Sequence, residues 1–306
     1  MKHDLIYYIP WDYFTREQIP YLLRECLDWG IHRFVFGNGL IRQCLKDPSW
    51  IGYMHNLERS FGVQFLSMHA PFGPEYDMNI IDPVRRPEMI KEHSRSMEIA
   101  AEFGCQTSTI HIGAYHYIFR QETLQESRDF AAATLEKLVP AAEKTGVTIA
   151  VENSFEPTNA AREVLALVTP YIGNPAVGVC FDTGHANIMA MPPGKRPDRY
   201  RANIYDVWYE DGIIPENNAL EILYPHIVTT HMHDNDGYGD LHAMPGDGTI
   251  DWKTLLPKLD NCPRRVEMQT EVSLYHYGIN WAGELLAPMG GYTINRLVKT
   301  FRKLGF

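Results

Sequence analysis

Strand-length apolar runs alternate with helix-length stretches along the whole of the 306 residues, and that rhythm constrains the fold more than any other feature. A helix between two strands returns the chain to its starting side, so successive strands pair in parallel. The runs fall at 5–9, 33–36, 64–69, 107–112, 147–153, 177–182, 227–233 and 265–272. Between them, 15–29, 87–103 and 122–144 carry apolar residues at helical spacing, and the last two end near Gly104 and Gly146, where helices commonly stop. Eight such pairs predict an α/β chain folded as a single-domain (β/α)8 barrel, a fold of roughly 250 residues before insertions. No Ser/Gly linker or low-complexity run divides the chain.

The ends of these runs are rich in groups that hold metals. They present His69, His111, Glu152, Asp182 followed by His185, His231 with His233, and Glu271, with Asp240 and His242 just beyond the seventh. Parity supplies an independent check, because side chains alternate faces along a strand. Thr148, Ala150 and Glu152 share one face; Val147, Ile149 and Val151 share the other. His111 travels with Thr107 and Thr109, Asp182 with Gly178 and Cys180, and Glu271 with Glu267 and Gln269. The bulky face must pack on the outer helices, so these candidates point to the barrel axis, at the end where such barrels keep their sites.

Crowded carboxylates repel unless a cation neutralises them. Imidazole mixed with carboxylate suits Mn2+, Zn2+, Co2+ or Fe2+, with Mg2+ a weaker fit, and the donor count allows more than one ion. Any one of these residues taken alone reads as a turn, cap or core group; the weight lies in their convergence. His233 shares a face with His231 and is left outside the ligand set, as a ligand, proton carrier or supporting group. His3, His32, His55, His93, His116, His226 and His276 fall outside the pattern and are expected in solvent.

Charge and cysteine content narrow the partners. A formal net charge of -10 disfavours a nucleic-acid polyanion and favours a small molecule. Five scattered cysteines without a Cys-x-x-Cys pair argue against a disulfide framework and a zinc knuckle. No stretch approaches the roughly 20 apolar residues that cross a bilayer, and the start lacks the layout of a secretion signal, so a cytoplasmic protein is expected. Residues 191–218 form a long insertion after the sixth strand, expected over the active face either as a solvated loop or as a substrate lid or anion clamp built on Lys195, Arg196, Arg199 and Arg201. Phe72, Tyr115, Trp208, Tyr209, Tyr238 and Trp281 are candidates to stack on a sugar ring, against a plain packing role. A homo-oligomer stays open.

The motifs Met68-His69-Ala70-Pro71, Ile110-His111-Ile112-Gly113, Val151-Glu152-Asn153, Asp182-Thr183-Gly184-His185-Ala186-Asn187, His231-Met232-His233-Asp234-Asn235, Asp240-Leu241-His242, Pro245-Gly246-Asp247-Gly248-Thr249-Ile250-Asp251 and Glu271 occur in this order. Together they resemble the xylose isomerase-like TIM barrel superfamily, which holds sugar isomerases and epimerases, inosose dehydratases and the endonuclease IV group. The resemblance runs from the first strand to the last helix. For the epimerase branch it implies one metal held by Glu152, Asp182, His231 and Glu271. For the endonuclease IV branch it implies three zinc ions on a longer set that adds His69, His111, His185, Asp240 and His242. The glutamate that epimerases carry shortly after the fifth-strand ligand has only Glu156 near it, at a different offset.

The leading expectation is a divalent-metal-dependent isomerase or epimerase of a sugar, sugar phosphate or polyol, working through an enediolate. Glu152 and Glu271 would act as base and acid, His185 would bind a substrate hydroxyl, and the Lys195–Arg201 cluster would hold a phosphate or carboxylate tail. The alternatives are a multi-metal phosphoesterase of the endonuclease IV type and a non-catalytic sugar-binding barrel.

Overall fold

The structure is a computed structural model that describes residues 5–190, 215–274, 276–279, 285–289 and 291–306. Eight parallel strands close into a barrel in chain order: β1 (Leu5–Tyr7), β2 (Arg33–Phe36), β3 (Gln64–His69), β4 (Thr107–Ile110), β5 (Thr148–Glu152), β6 (Val177–Asp182), β7 (Ile227–Met232) and β8 (Met268–Thr270). β8 closes the ring on β1, pairing Leu5 with Met268 and Tyr7 with Thr270. Helices α1 (Ile19–Asp28), α2 (Asn38–Lys46), α3 (Ser49–Phe61), α4 (Arg85–Phe103), α5 (Tyr115–Ile118), α6 (Leu124–Thr145), α7 (Ala161–Val168), α8 (Thr183–Met189), α9 (Ala219–Leu223), α10 (Trp252–Asp260) and α11 (Ile294–Leu304) fill the connections and the C-terminus. A two-stranded antiparallel unit, β9 (His276–Ile279) with β10 (Leu285–Met289), follows the barrel. No helix among the described residues is long and apolar enough to cross a membrane.

The eight runs all become strands, and three keep the expected bounds. The others are shorter at one or both ends, because the chain leaves the ladder where loops diverge. The widest gap is at the eighth, where 265–272 contracts to Met268–Thr270, although Val266 N–H still donates to Val228 O and Glu271 N–H to Met232 O. Gly104 and Gly146 stop α4 and α6 in left-handed conformations, at φ +81° and +74°. The first helix is shorter than expected, because Thr15 to Gln18 form a turn in which the Gln18 side chain accepts from Thr15 N–H. Two helices, α2 and α3, sit where one connection was expected.

The outer faces of the strands build the core. Ile149, Val151, Val177, Val179 and Phe181 are buried with the inner faces of the helices, including Leu135, Leu138 and Val164. Full burial of each such side chain stabilises by about 1.5–3 kcal/mol. His93 corrects the solvent expectation: it lies on the inner face of α4, 2% exposed, with Nε2 2.7 Å from Tyr76 O. Burial lowers its pKa to about 4, which keeps the imidazole neutral. The side chains of His3 and His276 lie outside the described residues. All five cysteines are free and buried.

Candidate metal centre

Parity delivers the donors to one place. Glu152 ends β5, Asp182 ends β6, His231 lies in β7 and Glu271 follows β8; one ligand atom from each falls within 4.8 Å of every other. His231 Nδ1 stands 3.0 Å from both Glu152 Oε1 and Glu271 Oε2, and 3.9 Å from Asp182 Oδ2. On the other side of Glu152, Oε2 is 2.9 Å from His111 Nε2 and 3.7 Å from His69 Nε2, so His69, His111 and Glu152 make a second group. A third combines His185, His233, Asp240 and His242, with Asp240 Oδ2 3.5 Å from His185 Nε2 and 3.2 Å from His242 Nε2. Every expected donor therefore lies in one of these groups, and Glu152 belongs to more than one at once. Lys195, Arg196, Arg199 and Arg201, with Trp208, Tyr209 and Trp281, lie outside the described residues.

Local structure explains the placement. Asp182 has the cap geometry and leaves an oxygen to the cluster: Oδ1 accepts from His185 N–H at 2.7 Å as the N-cap of α8, while Oδ2 faces the histidines. Asn153 clamps the neighbouring strand, accepting from Asp182 N–H at 2.9 Å and donating to Asp182 O at 3.1 Å. The loop carrying Asp240 and His242 is organised by Asp234, which is fully buried and accepts from Asn235, Gly246 and Ile250 N–H and from Trp252 Nε1. His242 itself adopts φ +44°, a left-handed backbone that costs a bulky residue energy and is kept here by its Nδ1 contact to Glu271 O at 2.7 Å.

His233, left outside the expected ligand set, lies inside the cluster. Its Nε2 is 3.0 Å from Asp182 Oδ2, its ring stacks on His242 at 4.0 Å, and Nδ1 has no hydrogen-bond partner. Gly184 is required beside it, since a Cβ there would come within 2.1 Å of the His233 ring. The sequence signal for both was the pair Gly184 and His233 inside adjoining motifs, but only the packing gives it meaning. Cys180 also approaches His231; burial pushes its thiol up to about 12, so it remains a thiol beneath the cluster.

The electrostatics are those of paired opposite charges in a cluster that is buried at its base and exposed at Asp240. Burial raises the Glu152 pKa, but the neighbouring His231 and His111 outweigh it and hold the carboxylate well below its usual range. Burial likewise opposes ionisation of Glu271, and His231 and His242 overcome it. Burial lowers His242 while Asp240 and Glu271 raise it further, to about 10; His185 and His231 also rise well above their usual value, against burial. His69 moves the other way, to about 4, through burial and the nearby His111.

These donors fit a divalent transition ion. Glu271 Oε2 is buried and makes no hydrogen bond despite its 3.0 Å approach to His231, an orphaned acceptor of the sort a cation satisfies. The mouth opens into a cavity of about 640 Å3 lined by Glu152, Glu271, His69, His111, His185 and Asp240 together with aromatic side chains. Phe72 and Tyr115 line it, and Phe72 stacks on His111 at 4.7 Å; Tyr238 is half-buried in the loop after β7 and does not line it. Glu156 lines the same cavity and accepts from Asn159 Nδ2.

An uncharacterised protein of Methanocaldococcus jannaschii is 27% identical over 217 residues, 69% of this chain and 65% of that protein; the matched part thus spans about two thirds of its length. Among solved structures, the 3-keto-D-glucoside 4-epimerase of E. coli superposes with a TM-score of 0.67 at 16% identity, covering 99% of both chains. The D-psicose 3-epimerase of Clostridium cellulolyticum H10, solved with D-tagatose, gives 0.62 at 14% identity, covering 99% of this chain and 91% of that one. The family described as xylose isomerase-like TIM barrel matches residues 39–265, and the chain belongs to that family.

Proposed function

We propose that the chain is a divalent-metal-dependent isomerase or epimerase of a sugar or polyol. The observation that carries this reading is the convergence of Glu152, Asp182, His231 and Glu271, of which Glu152 and Glu271 line a cavity large enough for a carbohydrate. The epimerases that share the barrel support it as a choice of substrate class. An ion held by these four would polarise a carbonyl and an adjacent hydroxyl, which lowers the pKa of the C–H bond between them. Glu152 and Glu271 flank that position as base and acid. One takes the proton from carbon and the other returns one, on the same carbon for epimerisation or on the next for isomerisation. Their depressed pKa values leave both ionised before substrate binds, so either can accept the carbon's proton, and the one that returns a proton would first take one up from a substrate hydroxyl. His185 lies at the cavity wall, where Asn153 O holds the ring through Nδ1 at 3.0 Å and Nε2, 3.5 Å from Asp240 Oδ2, is the atom that would meet a substrate hydroxyl.

The test is exchange of substrate C–H for deuterium in 2H2O across ketoses, aldoses and inosose-type polyols. Exchange next to the carbonyl in metal-loaded protein is expected; none with any sugar, together with hydrolysis of a phosphoester, would overturn the reading.

One observation favours the second reading, a multi-metal phosphoesterase. Five overlapping donor groups adjoin among the described residues, with Glu152 in three of them, an arrangement suited to ions that activate water and clamp a leaving oxygen. Metal analysis separates the two in part: about one ion per chain fits the isomerase, two or three the hydrolase.

A further inference from the structure

The wall above the donors is apolar to a degree that a single sugar does not use. Nine large apolar side chains among the described residues are exposed, and six of them, Tyr13, Phe72, Val84, Tyr115, Phe119 and Leu241, sit on segments that leave the C-terminal ends of the strands. Tyr13, Phe72 and Tyr115 line the donor cavity itself. Phe72 stacks on His111 at 4.7 Å and meets His69 at 5.2 Å, so whatever rests on its free face adjoins the donor floor. Tyr115 packs on Phe119 at 4.7 Å, which extends the aromatic surface outward. The volume, about 640 Å3, lies well inside the roughly 300–1,000 Å3 that encloses drug-sized ligands, whereas one hexose would leave much of it to water.

Charge restricts the occupant further. Asp77, Glu152, Glu156, Asp240 and Glu271 line the cavity, and no lysine or arginine does so among the described residues. A phosphate tail placed along this wall meets carboxylates and aromatic faces, while a neutral sugar ring offers C–H faces that stack on aromatics and hydroxyls that bond to carboxylates.

We propose that this cavity takes a sugar carrying a second, uncharged ring, with the reacting sugar on the donor floor and the second ring against Phe72 and Tyr115. This rests on the isomerase or epimerase reading and names its substrate class. The second ring must be joined through an oxygen away from the carbonyl, so that the reacting sugar keeps both its carbonyl and the neighbouring C–H bond.

The experiment compares lactulose and isomaltulose with fructose on metal-loaded protein, by deuterium exchange next to the carbonyl and by saturation-transfer NMR. The two-ring ketoses are expected to exchange faster, with saturation reaching protons of both rings. Tyr115→Ala should cut the two-ring preference about tenfold, the worth of one well-stacked ring, and Tyr115→Phe should keep it. Equal or better exchange of fructose, or a preference unchanged in Tyr115→Ala, overturns the proposal. If no ketose exchanges, the isomerase reading fails by itself and binding decides this one: saturation of both rings upholds it, and contact with one ring or none overturns it.

Discussion

Glu267 and Glu271 stand four residues apart on the same inward face of one strand line, and their surroundings treat them in opposite ways. Glu267 lies deep in the barrel, where Thr107 Oγ1 and Gln269 Nε2 donate to Oε1, and Gln269 Nε2 also reaches Ser67 and Thr229. Burial raises its pKa to about 7, and no cation lies among its partners. Glu271, at the mouth, is held low by His231 and His242 against the same burial. The lower layer meets Glu267 Oε1 with a hydroxyl and an amide, leaves Oε2 without a partner and raises the pKa, whereas the upper layer sets histidines against its carboxylates. One barrel interior builds both: a lower layer without cationic partners and an upper layer whose donors could hold a cation.

The sharpest way to break that contrast is Glu152→Gln. Activity, read as substrate deuterium exchange, should fall by about 100- to 10,000-fold, with circular dichroism unchanged. Stripping metal from the wild-type protein comes next. If the upper layer needs its ion, unfolding midpoints should show a loss of about 4 kcal/mol relative to protein with metal at a thousandfold excess over Kd. Uptake should also release a proton, because His231 has a pKa raised well above its usual value and must be neutral to bind. Affinity should therefore rise with pH, as calorimetry in buffers of different ionisation enthalpy will report.

The third prediction concerns the lower layer. Glu267 has a folded pKa above its unfolded value, so the native state binds more protons between the two, and stability falls as pH rises from about 4.5 to about 7. Glu267→Gln removes that slope. Relative to wild type it should gain up to about 3 kcal/mol between those pH values in urea denaturation, without altering metal content. His233→Asn gives the smallest effect, a loss of about 10- to 100-fold in metal affinity through the released Asp182 carboxylate, read by competition with a chromogenic chelator.

Much of this architecture was legible from residue order. The strand rhythm predicted the closed barrel, and period-two parity sent Glu152, Asp182, His231 and Glu271 to one mouth because the inward face must be the small and polar one. What stayed hidden depends on contacts distant in sequence. His233 reads as a neighbour of His231 until its ring is seen between Asp182 and His242. Asp234 reads as part of a polar loop until four donors are counted around it. His93 reads as surface by its residue type, although its spacing from Met89, Met97 and Ala100 puts it on the inward stripe of α4, where it meets Tyr76 O. Strand ends were overextended for a related reason: apolar character persists beyond the last ladder hydrogen bond.

Calorimetric titration of chelator-treated protein with Mn2+ and with Zn2+ tests most directly whether the upper layer is a cation site. Tight uptake of at least one ion per chain with proton release is expected, abolished or greatly weakened in Asp182→Asn. No uptake of either ion, or equal uptake by Asp182→Asn, would contradict the account.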